Sequence, residues 1–158
     1  MAELRYIFKT EKRDIIEKLG YYGITELPYL LIESGKEKVR GYSGSLSTEE
    51  LTQLNHEIGV DLVGFYLFHN YSDEIRLSFD AIYALKNQIT KNIIELDDAQ
   101  ASEFLKGRDI ALTDKDKEKF KGETRGFKII RHKDEFLGTC KLTEDRIINY
   151  MPKERRLR

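Results

Sequence analysis

Residues 126–158 read GFKIIRHKDEFLGTCKLTEDRIINYMPKERRLR, and the fold is decided by how this stretch is read. Two apolar runs, Phe127–Ile130 and Phe136–Leu142, flank the polar turn Lys133-Asp134-Glu135. A third run, Arg146–Tyr150, follows a second turn, Thr143-Glu144-Asp145. β-Branched and aromatic residues fill the runs and charged residues fill the gaps, which predicts a β meander. The chain then closes on Pro152-Lys153-Glu154-Arg155-Arg156-Leu157-Arg158. Clustered Arg and Lys at the end of a strand suit a phosphate backbone. The same charge also fits a solvated, frayed terminus.

Working outward, the whole chain limits what that surface belongs to. Its 158 residues make one domain or two small ones, 40% hydrophobic and 35% charged. A net charge of −1 argues against a generally basic, histone-like binder and leaves room for a local basic face. A single cysteine, Cys140, excludes an intrachain disulfide framework and a multi-cysteine zinc site. Alternation along Phe136, Gly138, Cys140 and Leu142 predicts that Cys140 shares an inward face with Phe136 and Leu142, as a packed small hydrophobe. No signal-peptide core and no apolar run long enough for a membrane span are present, so the expectation is a cytoplasmic protein without a membrane partner.

The first ninety residues read as a mixture of strands and helices. Strands are expected at Leu4–Phe8, Leu27–Glu33, Lys38–Tyr42, Val60–His69 and Ile75–Phe79, with a helical turn at Asp80–Lys86. One helix carries Ile15, Ile16 and Leu19 and stops at Gly20. Another opens on the capping box Ser47-Thr48-Glu49-Glu50, turns Leu51, Leu54 and Ile58 inward, and ends at Gly59. The pattern restarts near Lys91-Asn92, which places a boundary between residues 1–90 and 91–158. Ile93–Leu96 is a strand. Asp97 or Asp98 caps a helix through Lys106 with Ala101, Phe104 and Leu105 inward and Gly107 behind it. The charged segment Thr113–Glu123 reads as an exposed loop. No Gly/Ser/Pro linker separates the halves, so they are expected to pack together.

Chemistry is hard to find. His56, His69 and His132 belong to no catalytic motif, metal-ligand spacings are absent, and there is neither a P-loop nor GxGxxG; no catalytic residue, metal or cofactor is expected. Asp97-Asp98 reads as helix capping rather than an acid–base pair. Two stretches stay open. Arg40-Gly41-Tyr42-Ser43-Gly44-Ser45 sits before a helix N-terminus and fits either an anion site or an ordinary strand-to-helix turn. Arg76-Leu77-Ser78-Phe79-Asp80 mixes a base and a hydroxyl at a strand end, and fits either a ligand contact or a plain turn.

With these residues laid out, Asp97–Arg158 resembles the PUA-like region at the C-terminus of NOL1/NOP2/Sun-type RNA cytosine-5 methyltransferases. The resemblance rests on Phe104-Leu105-Lys106-Gly107-Arg108-Asp109-Ile110, Gly126–Ile130, Phe136-Leu137-Gly138-Thr139-Cys140-Lys141 and Asn149-Tyr150-Met151-Pro152-Lys153. Cys140 stands where the family pattern G-x-G-K has its second glycine, and Tyr150-Met151 lies between Asn149 and Pro152. The whole chain is similar to small archaeal stand-alone relatives of these regions. Its layout is similar to the pre-PUA plus PUA architecture of Nip7-like ribosome-biogenesis proteins. The fold implied is α+β, an N-terminal mixed α/β pre-PUA-like domain packed on a C-terminal PUA-like β barrel.

The function implied is non-catalytic binding of structured RNA, rRNA or tRNA, in ribosome biogenesis or RNA modification, with no DNA partner. The catalytic domain of the methyltransferases is not in this sequence. The RNA-binding set implied is Lys141, Lys153, Arg155, Arg156 and Arg158 on phosphates, with Asn149, Tyr150 and the Gly107-Arg108 loop lining a groove. Arg40, Tyr42 and Arg76 are candidates to extend it. The alternative is a protein-interaction subunit that targets or activates a separate RNA-modifying enzyme or joins a ribosome-assembly protein, which the near-zero net charge favours.

Overall fold

A computed structural model describes residues 3–158. The first half contains β1 (Arg5–Ile7), α1 (Lys9–Leu19), β2 (Leu30–Glu33), β3 (Lys38–Tyr42), α2 (Thr48–Ile58), β4 (Phe65–Asn70), β5 (Ile75–Leu77) and α3 (Phe79–Ala84). Its five strands pair in sequence order and are all antiparallel. Register sorts the side chains onto two faces. Val39, Phe68 and Leu77 align across β3, β4 and β5 and are buried beneath α1 and α3, in the core that also holds Ile15, Leu19 and Ile82. Lys38, His69 and Arg76 form the neighbouring row and take the opposite face, because successive strand residues alternate. On that outer face a smaller cluster of Ile32, Leu51 and Val63, with Tyr6, Leu30 and Tyr42, seats α2.

The second half contains β6 (Ile93–Glu95), α4 (Asp98–Leu105), β7 (Ile110–Ala111), α5 (Asp114–Lys119), β8 (Phe127–His132), β9 (Glu135–Leu142) and β10 (Arg146–Asn149). The meander is β8-β9-β10, as its apolar runs and charged turns predict. β6 adds parallel to β8, β7 adds antiparallel to β10, and the result is a curled, open half-barrel in the order β6-β8-β9-β10-β7. Its core holds Phe104, Ile130, Cys140, Leu142, Ile147 and Met151.

The two sheets touch through buried groups. Ile129 of β8 lies in the first core, and Phe136 packs against it. Thr139 Oγ1 donates to the Leu77 carbonyl at 2.9 Å in a buried hydrogen bond. At the junction the N–H groups of Thr90 and Lys91 both donate to the Tyr22 carbonyl, and Asn92 Nδ2 donates to that of Tyr21. Gly23, at φ +90°, turns beside them; a Cβ there would lie 2.2 Å from Thr90 Oγ1, so only glycine permits this approach. Lys128 is buried and donates Nζ to Asn92 Oδ1 at 2.8 Å.

Several expectations change. Thr113–Glu123 is not a loop throughout: Asp114–Lys119 is helix α5, with Thr113 and Asp116 making a reciprocal capping box. Asp114 and Asp116 sit at its positive end, Lys117 and Lys119 at its negative end, and Phe120 anchors it in the core. β4 begins at Phe65 rather than Val60. β5 ends at Leu77, because the Ser78 hydroxyl accepts from Ala81 N–H and starts α3. α2 buries Leu51 and Asn55 while Leu54 and Ile58 are exposed; Asn55 Oδ1 accepts from Val60 N–H and closes the helix end. In β9, Ile130 pairs with Gly138 but Arg131 with Phe136, so Leu137 is an extra bulged residue. The bulge moves Phe136 off the Cys140 and Leu142 face, and Leu137 joins their core instead.

Candidate nucleic-acid interface

Where β4 and β5 approach β9 and the segment after β10, the surface opens into a cleft of about 360 Å³ lined by Tyr66, Arg76, Asp80, Thr139, Tyr150 and Arg155 among others. Arg76 is its central group. Its guanidinium carbon lies 5.0 Å from the centroid of Tyr150, 5.8 Å from Phe127 and 5.9 Å from Tyr71. Among the described residues it forms no ion pair. A cation held by ring faces rather than by a carboxylate keeps its charge available to an incoming anion. The rings form a column: His69 stacks on Tyr71 at 4.2 Å, Tyr71 on Phe127 at 5.9 Å, and Tyr150 meets Phe127 edge-on at 5.4 Å. Tyr150, 37% exposed, presents its ring at the mouth of the cleft. The column draws on both halves of the chain and is invisible to any local motif.

The other expected residues have varied surroundings. Lys141 pairs with Glu74 at 3.5 Å and lies 5.0 Å above the Phe127 ring, so it borders the column. Arg155 lines the cleft but is paired with Asp80 at 3.0 Å and packed on Phe79. Lys153 and Arg158 are exposed and without an ion pair among the described residues. Arg156 is turned inward: Nε donates to the Met151 carbonyl, and its side chain lies over Gly107, where a Cβ would meet it at 2.3 Å. Gly107 is therefore a seat for Arg156, and its φ of +82° suits glycine for a second reason. The tail is not frayed, since Leu157 N–H donates to the Leu105 carbonyl. Arg108 donates from one nitrogen to both Glu103 oxygens, at 3.0 and 2.8 Å, which holds the Glu103 carboxyl below its ordinary range.

Asn149 is engaged on both ends of its amide. Nδ2 donates to the Phe104 carbonyl at 2.7 Å and the Arg108 carbonyl at 3.0 Å, and Oδ1 accepts from Met151 N–H at 2.7 Å. Both amide protons are spent on the protein. Its geometry is that of a brace joining β10 to the end of α4 and presenting Tyr150 outward.

In the first half, Arg40 lies on the outer face and donates to the carbonyls of Val63 and Gly64. Tyr42 packs toward α2, and its hydroxyl accepts from Leu46 N–H. The Ser47–Glu50 box takes the N–H groups of Ser47 and Glu50. Residues 43–47 form a capped strand-to-helix turn. Asp80 is exposed and paired with Arg155. His69 and His132 face carboxylates, Glu37 at 3.0 Å and Asp98 at 2.7 Å. Burial pushes the Cys140 thiol up to about 12, which leaves it an inert core group. Among the described residues, no group of three His, Cys, Asp or Glu is placed to hold a metal ion, and no helix is long and apolar enough to cross a membrane.

Residues 91–157, which form this open half-barrel and its basic tail, match the family described as the methyltransferase RsmF PUA domain. The chain thus carries a PUA-like region resembling that of Sun-type RNA methyltransferases. A relative that extends the likeness into the first half is the ribosomal RNA small subunit methyltransferase F of Aeromonas salmonicida (strain A449), 26% identical over 151 residues and covering 87% of this chain. The chain spans 30% of the length of that relative.

Proposed function

We propose that this protein is a non-catalytic RNA-binding module that engages structured ribosomal or transfer RNA through the cleft between its two sheets. The observation that carries the reading is Arg76, a guanidinium free of carboxylates, caged by aromatic rings beside the exposed ring of Tyr150. Aromatic faces next to guanidinium groups suit an unpaired base and its phosphate. The PUA-like match and the likeness to an rRNA methyltransferase support RNA as the partner class. Lys153, next in sequence to the cleft-lining Pro152, and Arg158 add exposed cations.

The test is filter binding of a ribosomal RNA preparation across a salt series. The wild-type protein is expected to show a clear negative salt slope. Arg76→Ala should reduce that slope by about 0.7–0.9 log units, the loss of one phosphate contact. Tyr150→Ala should weaken binding while leaving the slope in place, since stacking releases no counterions. A salt slope unchanged by Arg76→Ala, with folding verified by circular dichroism, would remove the basis for the cleft as the RNA site.

A further inference from the structure

A second depression, about 640 Å³, lies on the outer face of the first sheet, lined by Ser34, Gly35, Lys36, Lys38, Arg40, Leu62, Tyr66 and Arg76. Tyr66 and Arg76 line this depression and the cleft alike, so the two adjoin at these side chains. We infer that the outer face of β3–β5 carries the phosphate backbone of an unpaired RNA segment, one of whose bases enters the cleft beside Arg76 and Tyr150. This rests on the RNA-binding reading above and adds the path and the single-stranded nature of the bound segment.

Three features carry it. The first is charge without neutralisation. Lys36, Lys38 and Arg76 have no ion pair among the described residues, and Arg40 is held by the carbonyls of Val63 and Gly64, which leave its charge uncompensated. The carboxylate closest in sequence, Glu37, is turned to His69. A protein of net charge −1 that gathers four cations around one depression has a local field at odds with its overall balance.

The second feature is exposure. α2 covers the outer face around Ile32, Tyr42 and Leu30. It leaves Lys36 and Lys38 exposed and Arg40, Tyr66 and Arg76 partly exposed. Cations that reach solvent from one sheet face form a surface open to a polyanion. The third feature is spacing. Lys38 and Arg76 are two strands apart, about 10 Å, a span that a few nucleotides of RNA backbone bridge. Tyr66 sits beside Arg40 on the intervening strand and lines both depressions, where an unpaired base can rest on its ring.

The experiment measures fluorescence anisotropy of labelled oligouridylates, which stay unpaired, against the full chain. A trinucleotide places one base in the cleft with little backbone beyond it; a decanucleotide also runs along the outer face. The variant Lys36→Ala/Lys38→Ala should weaken the decanucleotide roughly 25-fold at about 0.1 M salt and lower its salt slope by about 1.4, at about 0.7 per contact. Trinucleotide binding should not change. Tyr150→Ala should weaken both. The control Lys115→Ala/Lys117→Ala makes the same charge change on α5 and should leave both affinities unchanged.

Equal losses in the two lysine pairs would reduce the effect to net charge and overturn the inference. So would a duplex RNA binding as tightly as the single strand, or a decanucleotide that binds no better than the trinucleotide. Wild-type protein that binds ribosomal RNA but neither oligouridylate sinks this inference and spares the RNA-binding reading. Wild-type protein that binds no RNA sinks both.

Discussion

Replacing Asn149 by alanine separates two roles that its position would otherwise confuse. The family resemblance implies an RNA contact at Asn149; the structure places its amide in three hydrogen bonds within the protein, to the Phe104 and Arg108 carbonyls and the Met151 N–H. Removing them costs about 0.5–1.5 kcal/mol each in net terms, and more where a buried partner is left unsatisfied, so about 2–4 kcal/mol is expected in all. At about 2–4 °C per kcal/mol for a chain of this size, Tm should fall by roughly 4–16 °C. Asn149→Asp should be worse, because it turns an oxygen toward two carbonyls that now receive a donor. The assay pairs a thermal melt with RNA affinity measured well below the melt. A brace predicts a lowered Tm and a modest loss of affinity through misplacement of Tyr150. An unchanged Tm with RNA binding abolished would refute the bracing argument and return Asn149 to the contact surface.

Three further outcomes follow from groups already described. Thr139→Val keeps the shape of the side chain but removes its donor to the buried Leu77 carbonyl, and should lower the unfolding free energy in urea by about 1–3 kcal/mol. Gly107→Ala must adopt a φ of +82° and displace Arg156; the left-handed backbone alone costs about 1–2 kcal/mol, seen as an earlier melt, and Arg156→Ala in the same chain should recover part of the loss. Cys140 stays protonated in the folded state up to about 12. In the unfolded chain its thiol ionises near ~8.5, so its contribution to stability is full below that pH and is lost as pH rises toward the folded value, by about 1.4 kcal/mol per unit. Urea midpoints of wild type and Cys140→Ala should therefore converge as the pH is raised, and a gap that widens would contradict the burial argument.

The meander was legible because runs of β-branched and aromatic residues alternate with charged turns, and the caps at Ser47 and Asp97 were legible because their partners sit three residues away. What escaped was what depends on distant partners or on one extra residue. The bulge at Leu137 exchanges the faces of Phe136 and Leu137, and nothing in the alternation marks where a strand gains a residue. Helix α5 was hidden in a run of charges, with Asp116 where a capping box more often has Glu or Gln, although the order of its acids and bases follows the helix dipole. Asn149 stood out as part of a motif, but its role depends on Phe104 and Arg108, forty and more positions away. Tyr66, Tyr71 and Phe127 were not singled out, since an aromatic on a strand looks the same whether it packs inward or cages a guanidinium. Lys36 and Lys38 gain meaning only when β3 lies beside β4 and β5.

Thr139 and Ile129 bear on whether the chain can be divided. A cut near Lys91 follows the break in sequence pattern and the start of the family match. Yet Ile129 and Phe136, on the second side of that cut, fill the core of the first, and the Thr139 hydroxyl has its partner there too. A fragment starting at residue 91 would carry two large apolar side chains into water and leave a β9 hydroxyl without its acceptor. The piece that folds and the piece that aligns are then different lengths of chain. Anyone grafting this PUA-like end onto another protein should carry the first sheet along with it, as a foundation rather than a passenger.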